Sequence, residues 1–137
     1  MPAVAEIGAD LERRFARELI VWLTTVRADG QPQSVPVWFV WHEGSFLIYS
    51  QRDKPKLRNV MDNPKVSLHL RGTDAGDDIV TVEATAVRAP DAPPADRVEP
   101  YVEKYRSRID HYGWTPASFA EDYSEPLRVT PTEVHTW

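Results

Sequence analysis

The stretch YSQRDKPKLRNVMDNPKVSL, Tyr49 to Leu68, joins a strand end, a helix and the start of another strand. Asp53 is a residue type that caps helices, Pro55 is tolerated in a first turn, and Leu57, Val60 and Met61 make one apolar face. A helix is therefore predicted over Asp53–Asp62, stopped by Asn63-Pro64. Lys54 and Lys56 fall in its first turn, where a cation opposes the helix dipole by roughly 0.3–1 kcal/mol unless an anion sits there. Free N–H groups in that turn favour a phosphate. Arg58 lies a little further on, and the Ser50 hydroxyl just before.

The flanks read as sheet. Upstream, Ser45–Ser50 (SFLIYS) follows the turn His42-Glu43-Gly44, and Ser34–Trp41 (SVPVWFVW) precedes it. Pro36 inside that run argues for an edge, a bulge or an irregular stretch. Ala28-Asp29-Gly30 separates it from Ile20–Val26, and Asp-Gly between apolar runs predicts a hairpin. Three consecutive strands then form a meander. Downstream, Lys65–Arg71 and Ile79–Ala89 alternate with period two. Leu127–Val129 and Glu133–Trp137 read as one last strand interrupted at Pro131. Helices are predicted over Asp10–Glu18, Ala95–Ile109 and from Thr115-Pro116. The expected architecture is mainly β: one six-stranded antiparallel barrel over 1–137, closed because closure removes exposed edges. A helical segment (1–18) opens the chain, and a helical insertion (95–123) precedes the last strand.

The 137 residues suffice for one domain, and a core of that size gains from a dimer partner. With no cysteine, disulfides, thiol nucleophiles and cysteine-based zinc sites are excluded. The first residues lack the pattern of a secretory signal, and no apolar run approaches a membrane span of about 20 residues. A soluble cytoplasmic protein without membrane or nucleic-acid partners is expected. Net charge is −5, yet Gln51–Arg71 holds six basic residues against two acidic ones. A basic island in an acidic chain points to a compact anionic ligand. Two readings of the island stand side by side: a phosphate site, or a solvated basic face with Arg58 paired to Asp62 at i+4.

The same stretch resembles the cofactor segment of the pyridoxamine 5'-phosphate oxidase-like family, the FMN-binding split β-barrels. In that family a strand ending in Tyr/Ser-Thr leads to a lysine-containing helix and then Asn-Pro-x-Val-Ser-Leu. LTTVRADGQPQSVPVWFVW (Leu23–Trp41) is similar to its paired first strands, and LRVTPTEVHTW (Leu127–Trp137) to its last. PVWF followed by KLRN is typical of the actinobacterial deazaflavin-dependent branch. The resemblance covers Leu19 to Trp137 and favours the phosphate reading. It implies a split β-barrel, a homodimer with cofactor at the interface, and coenzyme F420 as cofactor, with FMN as the alternative. It further implies Lys56 as phosphate ligand, Lys54 as a second basic contact, and Tyr49 and Ser50 at the phosphoryl tail. Val35, Pro36 and Val37 would lie along the ring, with Gln51, Arg52 and Arg58 near an acidic tail. The oxidase's own C-terminal Arg-x-His substrate motif is missing, so pyridoxine phosphate is not the expected substrate.

The function implied is hydride transfer from reduced deazaflavin to an organic small-molecule acceptor. The alternatives are an FMN-dependent oxidase or flavin reductase, or a non-catalytic protein that holds a cofactor or tetrapyrrole. No acid or base is assigned from the sequence. His42, His69, His111 and His135 show no metal-ligand spacing. No Gly-x-Ser-x-Gly elbow exists, and Asp77-Asp78 reads as a solvated turn. Trp38, Trp41, Trp114 and Trp137 are able to stack on a ring, against the more ordinary role of core or interface packing. Packing is the default for Trp22.

Overall fold

The computed structural model describes residues 6–137, so residues 1–5 of the expected N-terminal helical segment lie outside the described residues. Helix α1 spans Ala9–Arg17, with Asp10 and Glu12 in its first turn and Arg14 and Arg17 in its last, complementing the dipole. Its apolar face buries Phe15, whose ring lies 5.3 Å from Trp41 and 4.8 Å from Phe46. Strand β1 (Val21–Val26) alternates buried and half-buried residues and pairs with β2 (Pro32–Val37). The hairpin sits where Asp-Gly placed it. Gly30 takes φ 91°, and the Arg27 N–H donates to the Gln31 carbonyl at 2.8 Å.

The expected strand Ser34–Trp41 is two strands. After β2 the chain passes through Trp38 and Phe39 and starts β3 (Val40–His42), which pairs with β4 (Ser45–Ser50) and not with β1. Glu43 (φ 52°) and Gly44 (φ 80°) make the tight turn between β3 and β4. With β5 (Lys65–His69), β6 (Val80–Arg88) and β7 (Glu125–Thr136), the sheet runs β2-β1-β5-β6-β7-β4-β3, antiparallel throughout. Strands β2 and β3 are thus the two edges of one sheet, yet only two residues separate them. That short link forces the sheet to curl until its edges approach each other. The result is a half-barrel of seven strands, fitting a split barrel, where six strands and a simple meander were expected.

The last strand is not interrupted at Pro131. Pro131 pairs with Ala84, Glu133 pairs with Glu83, and Thr132 is the extra residue of a bulge. Its hydroxyl donates to the Glu83 carbonyl at 3.1 Å.

Two apolar clusters explain why every residue of β4 is buried. Phe46 and Ile48 point into the barrel with Phe15, Leu23, Leu68 and Leu127. Leu47 and Tyr49 point outward, beneath the helices inserted between β6 and β7. Those are a 3-10 turn at Ala95–Arg97, α3 (Glu99–His111) and α4 (Pro116–Asp122). Thr115 caps α4 reciprocally with Ser118.

Helix α2 runs from Pro55 to Asp62, two residues shorter at its start than expected. Asp53 is not the cap: it stands at φ 60° in the preceding turn, and Lys54 holds the N-cap position without a side-chain bond. The buried face carries Leu57, Asn59 and Val60, while Met61 is 69% exposed. No helix is long and apolar enough to cross a membrane among the described residues.

Candidate functional site

Where the β2–β3 crossing, β4, the start of α2 and the inserted helices converge, they enclose a cavity of about 300 Å³. One wall is the strand end Pro36, Val37 and Trp38; Tyr49, Gln51 and Lys56 form the next. The remainder is aromatic: Tyr101, Tyr112, Trp114, Phe119 and Tyr123. These rings support one another. Trp38 lies 5.3 Å from Phe119, Phe119 stacks on Tyr123 at 4.5 Å and 14°, and Tyr112 stacks on Trp114 at 4.8 Å and 27°. A slot walled by flat aromatic faces with one ammonium at its edge suits a planar conjugated ring carrying an anionic substituent.

The rotation of α2 selects which cation faces the cavity. Residues two apart on a helix stand roughly 200° apart around the axis, so Lys54 and Lys56 cannot share a face. Burial of Asn59 and Val60 turns Lys56 inward. Burial and the neighbouring Lys54 charge, in that order, pull its pKa below the usual lysine value. Lys54 and Arg58 instead line a separate groove of about 600 Å³ with Met61 and Arg88. Asp53, Asp62 and Glu125 line the same groove, so its charge is mixed. Arg88 pairs with Glu125 at 3.4 Å, whereas the possible Arg58–Asp62 pair is not formed among the described residues.

Of the residues singled out in the sequence, Pro36, Val37, Tyr49, Gln51 and Lys56 meet at the cavity. Val35 is 37% exposed, pairs with Leu23 and does not line it. Ser50 is buried, and its hydroxyl donates to the Gln51 carbonyl at 2.8 Å. The Gln51 amide donates to Asp122 at 2.8 Å, tying α4 to the end of β4. The Tyr49 ring faces the cavity while its hydroxyl donates to the Pro93 carbonyl, and burial raises its pKa to about 12. Arg52 is exposed in the turn before α2.

Of the aromatic wall on and between α3 and α4, the sequence offers only Trp114 as able to stack on a ring; Tyr101, Tyr112, Phe119 and Tyr123 were not assigned to the site. One signal was present: six of the chain's fourteen aromatic residues fall between Tyr101 and Tyr123. Tyr101 bears on what the cavity holds. It is 1% exposed, its hydroxyl has no hydrogen-bond partner among the described residues, and burial drives its pKa well above the tyrosine value. An unpaired buried hydroxyl costs about 1–3 kcal/mol and marks a place where a polar group is missing. Trp41 belongs to the barrel core, Trp22 lies parallel to His69, and Trp137 is exposed, so only Trp38 and Trp114 of the five tryptophans line the cavity.

The sequence profile of the pyridoxamine 5'-phosphate oxidase family matches residues 7–137. The chain belongs to that family. No curated protein matches the sequence significantly. Among solved structures of this family's fold, an F420 reductase is 24% identical with a TM-score of 0.64, covering 96% of this chain and 98% of its own. A FAD-binding protein from Mesorhizobium loti is 16% identical with a TM-score of 0.63, covering 98% of this chain and 95% of its own. HutZ, the heme storage protein from Vibrio cholerae, is 17% identical with a TM-score of 0.64, covering 93% of each chain. At such identities the likeness is one of fold, and the fold hosts flavin, deazaflavin and haem proteins alike.

Proposed function

We propose that this member of the pyridoxamine 5'-phosphate oxidase family is an F420-dependent oxidoreductase acting on an organic acceptor. One observation carries the reading: Lys56, in the first turn of α2, faces an aromatic cavity whose other wall is the strand end Pro36–Trp38. The residues present fit a phosphorylated planar ring. The Lys56 ammonium, at the positive end of the α2 dipole, offers charge to a phosphate, although Pro55 has no N–H and the Leu57 N–H is already bonded to the Lys54 carbonyl. Trp38, Phe119 and Tyr123 offer stacking surface, and the unpaired Tyr101 hydroxyl is a donor in wait of an acceptor. When bound, reduced deazaflavin supplies a hydride to an electron-poor carbon, the step that the cofactor contributes.

The chain's own part is to hold and to enclose. Lys56 anchors the phosphate, the aromatic wall excludes water from the ring, and Gln51 keeps α4 closed over β4 through Asp122. Burial raises the pKa of both the Tyr49 and Tyr101 phenols, the Tyr49 phenol to about 12. A haem would receive no imidazole from this chain in the cavity, since no histidine lines it among the described residues. We place the cofactor at a homodimer interface, where a second copy covers the exposed rings of Tyr112 and Trp114, 50% and 37% accessible.

Titration of purified apo-protein with F420 and, separately, with FMN tests the reading. F420 is expected to bind in the low micromolar range or tighter, and more tightly than FMN. Failure of both to bind below high micromolar concentration overturns it. Consumption of reduced F420 with conjugated acceptors then distinguishes an enzyme from a carrier.

A further inference from the structure

Trp38 reaches the cavity from a part of the chain that no sheet ladder holds. Trp38 and Phe39 lie between β2 and β3, so the backbone groups of Phe39 have no strand partner. Helix α3 supplies the partners instead. The Phe39 N–H donates to the Tyr105 hydroxyl at 2.9 Å, and that hydroxyl donates to the Leu19 carbonyl at 2.6 Å. Lys104 Nζ donates to the Phe39 carbonyl at 3.0 Å and to the Phe15 carbonyl at 2.9 Å. The same ammonium stands 3.7 Å above the Phe39 ring, a cation–π contact. Two adjacent side chains therefore bind the end of α1, the approach to β1 and the β2–β3 crossing into one knot. Against it, the Trp38 indole lies flat on the Tyr105 ring at 4.5 Å and 5°.

We propose that Lys104 and Tyr105 are positioning residues for Trp38, holding its indole as a fixed wall of the cofactor cavity. The inference rests on the cavity being the cofactor site. Lys104 is half-buried and makes no ion pair among the described residues, an arrangement that costs stability. A hydrocarbon side chain of the same length would fill the space without that cost. What lysine adds is a directed donor to the Phe39 carbonyl at the strand break, which the Tyr105 hydroxyl also approaches at 3.0 Å, and a second to the Phe15 carbonyl in the last turn of α1. Tyr105 is fully buried and both stacks on Trp38 and bonds to the backbone of its neighbour, so its ring and hydroxyl act on one indole.

The test compares Lys104→Met, Tyr105→Phe and Trp38→Phe, singly and paired, in the full chain. In apo-protein, near-ultraviolet circular dichroism of Trp38→Phe identifies the band of the stacked indole. Lys104→Met and Tyr105→Phe are expected to weaken that band while far-ultraviolet spectra keep the folded form. F420 affinity is expected to fall about tenfold in Lys104→Met when Trp38 is present, and less than about twofold in the Trp38→Phe background. An unchanged band, or an equal loss of affinity in both backgrounds, overturns the proposal. Tyr105→Phe removes only a hydroxyl and carries the same comparison in a chain with intact packing. Should wild-type protein not bind F420, the cofactor reading falls while the dichroism still decides the positioning role.

Discussion

Asn59 puts a carboxamide where an amphipathic helix ordinarily carries an apolar side chain, and it is 4% exposed. Its Nδ2 donates to Thr25 Oγ1 at 2.9 Å and to Gln33 Oε1 at 2.8 Å, fastening α2 across the β1–β2 hairpin. Replacing Asn59 with Leu leaves the buried Thr25 hydroxyl without this partner, and a loss of roughly 1–3 kcal/mol is expected in urea unfolding. A loss within error of zero would show that the amide bonds do not set the helix orientation. Lys104 gives a second test at this scale. Burial, opposed by the Glu18 charge, lowers its pKa from 10.5 to about 8. The unfolded chain therefore takes up the proton first as pH falls. The stabilising contribution is present above 10.5 and is lost as pH falls through about 8. Stability of wild-type protein relative to Lys104→Met should rise between about pH 8 and about 9.5. The upper limit avoids Tyr49, whose pKa is raised from 10.0 to about 12, so that its own contribution is lost above pH 10. A stability difference that stays flat with pH would contradict the buried ammonium.

Helix α2 shows what an element's sequence can and cannot convey. Its existence and its Asn63-Pro64 stop were legible because those signals are local, while its start was read two residues early, at Asp53. Its rotation was not, because Leu57, Val60 and Met61 are equally apolar and only the sheet beneath distinguishes them. Leu57→Ala is expected to cost roughly 2–5 kcal/mol, and Met61→Ala less than about 0.5, measured by chemical unfolding. Similar losses at both positions would mean that the helix sits otherwise on the sheet. The β1–β2 hairpin, β5 and β6 were readable for the same local reasons: turn residues and period two. The break into β2 and β3 escaped because the groups that satisfy Phe39 come from α3, 65 residues further along the chain. The site divides along the same line. Pro36 and Val37 lie in one short stretch, and Tyr49, Gln51 and Lys56 in another, and both could be named because each resembles a family motif. The aromatic wall depends on how α3 and α4 pack over the outer face of β4, which no short pattern encodes.

At the scale of the whole molecule, the curl of the sheet and the inserted helices together make the cavity. Joining both edges through Trp38-Phe39 brings β2 beside the end of β4, and the helices roof the gap that remains. Tyr112 and Trp114 stay exposed at its mouth, a position that a second copy would cover. Light scattering at micromolar concentration should therefore give twice the mass of the 15.6 kDa chain, and a monomer would contradict the shared site. F420 titrations of wild-type, Lys56→Ala and Lys54→Ala proteins test most directly the proposed role of Lys56 as phosphate anchor. Lys56→Ala should weaken binding at least about tenfold, about 1.4 kcal/mol, and Lys54→Ala less than about threefold. An affinity unchanged in Lys56→Ala, or a larger loss in Lys54→Ala, would place the phosphate outside the aromatic cavity and contradict the account.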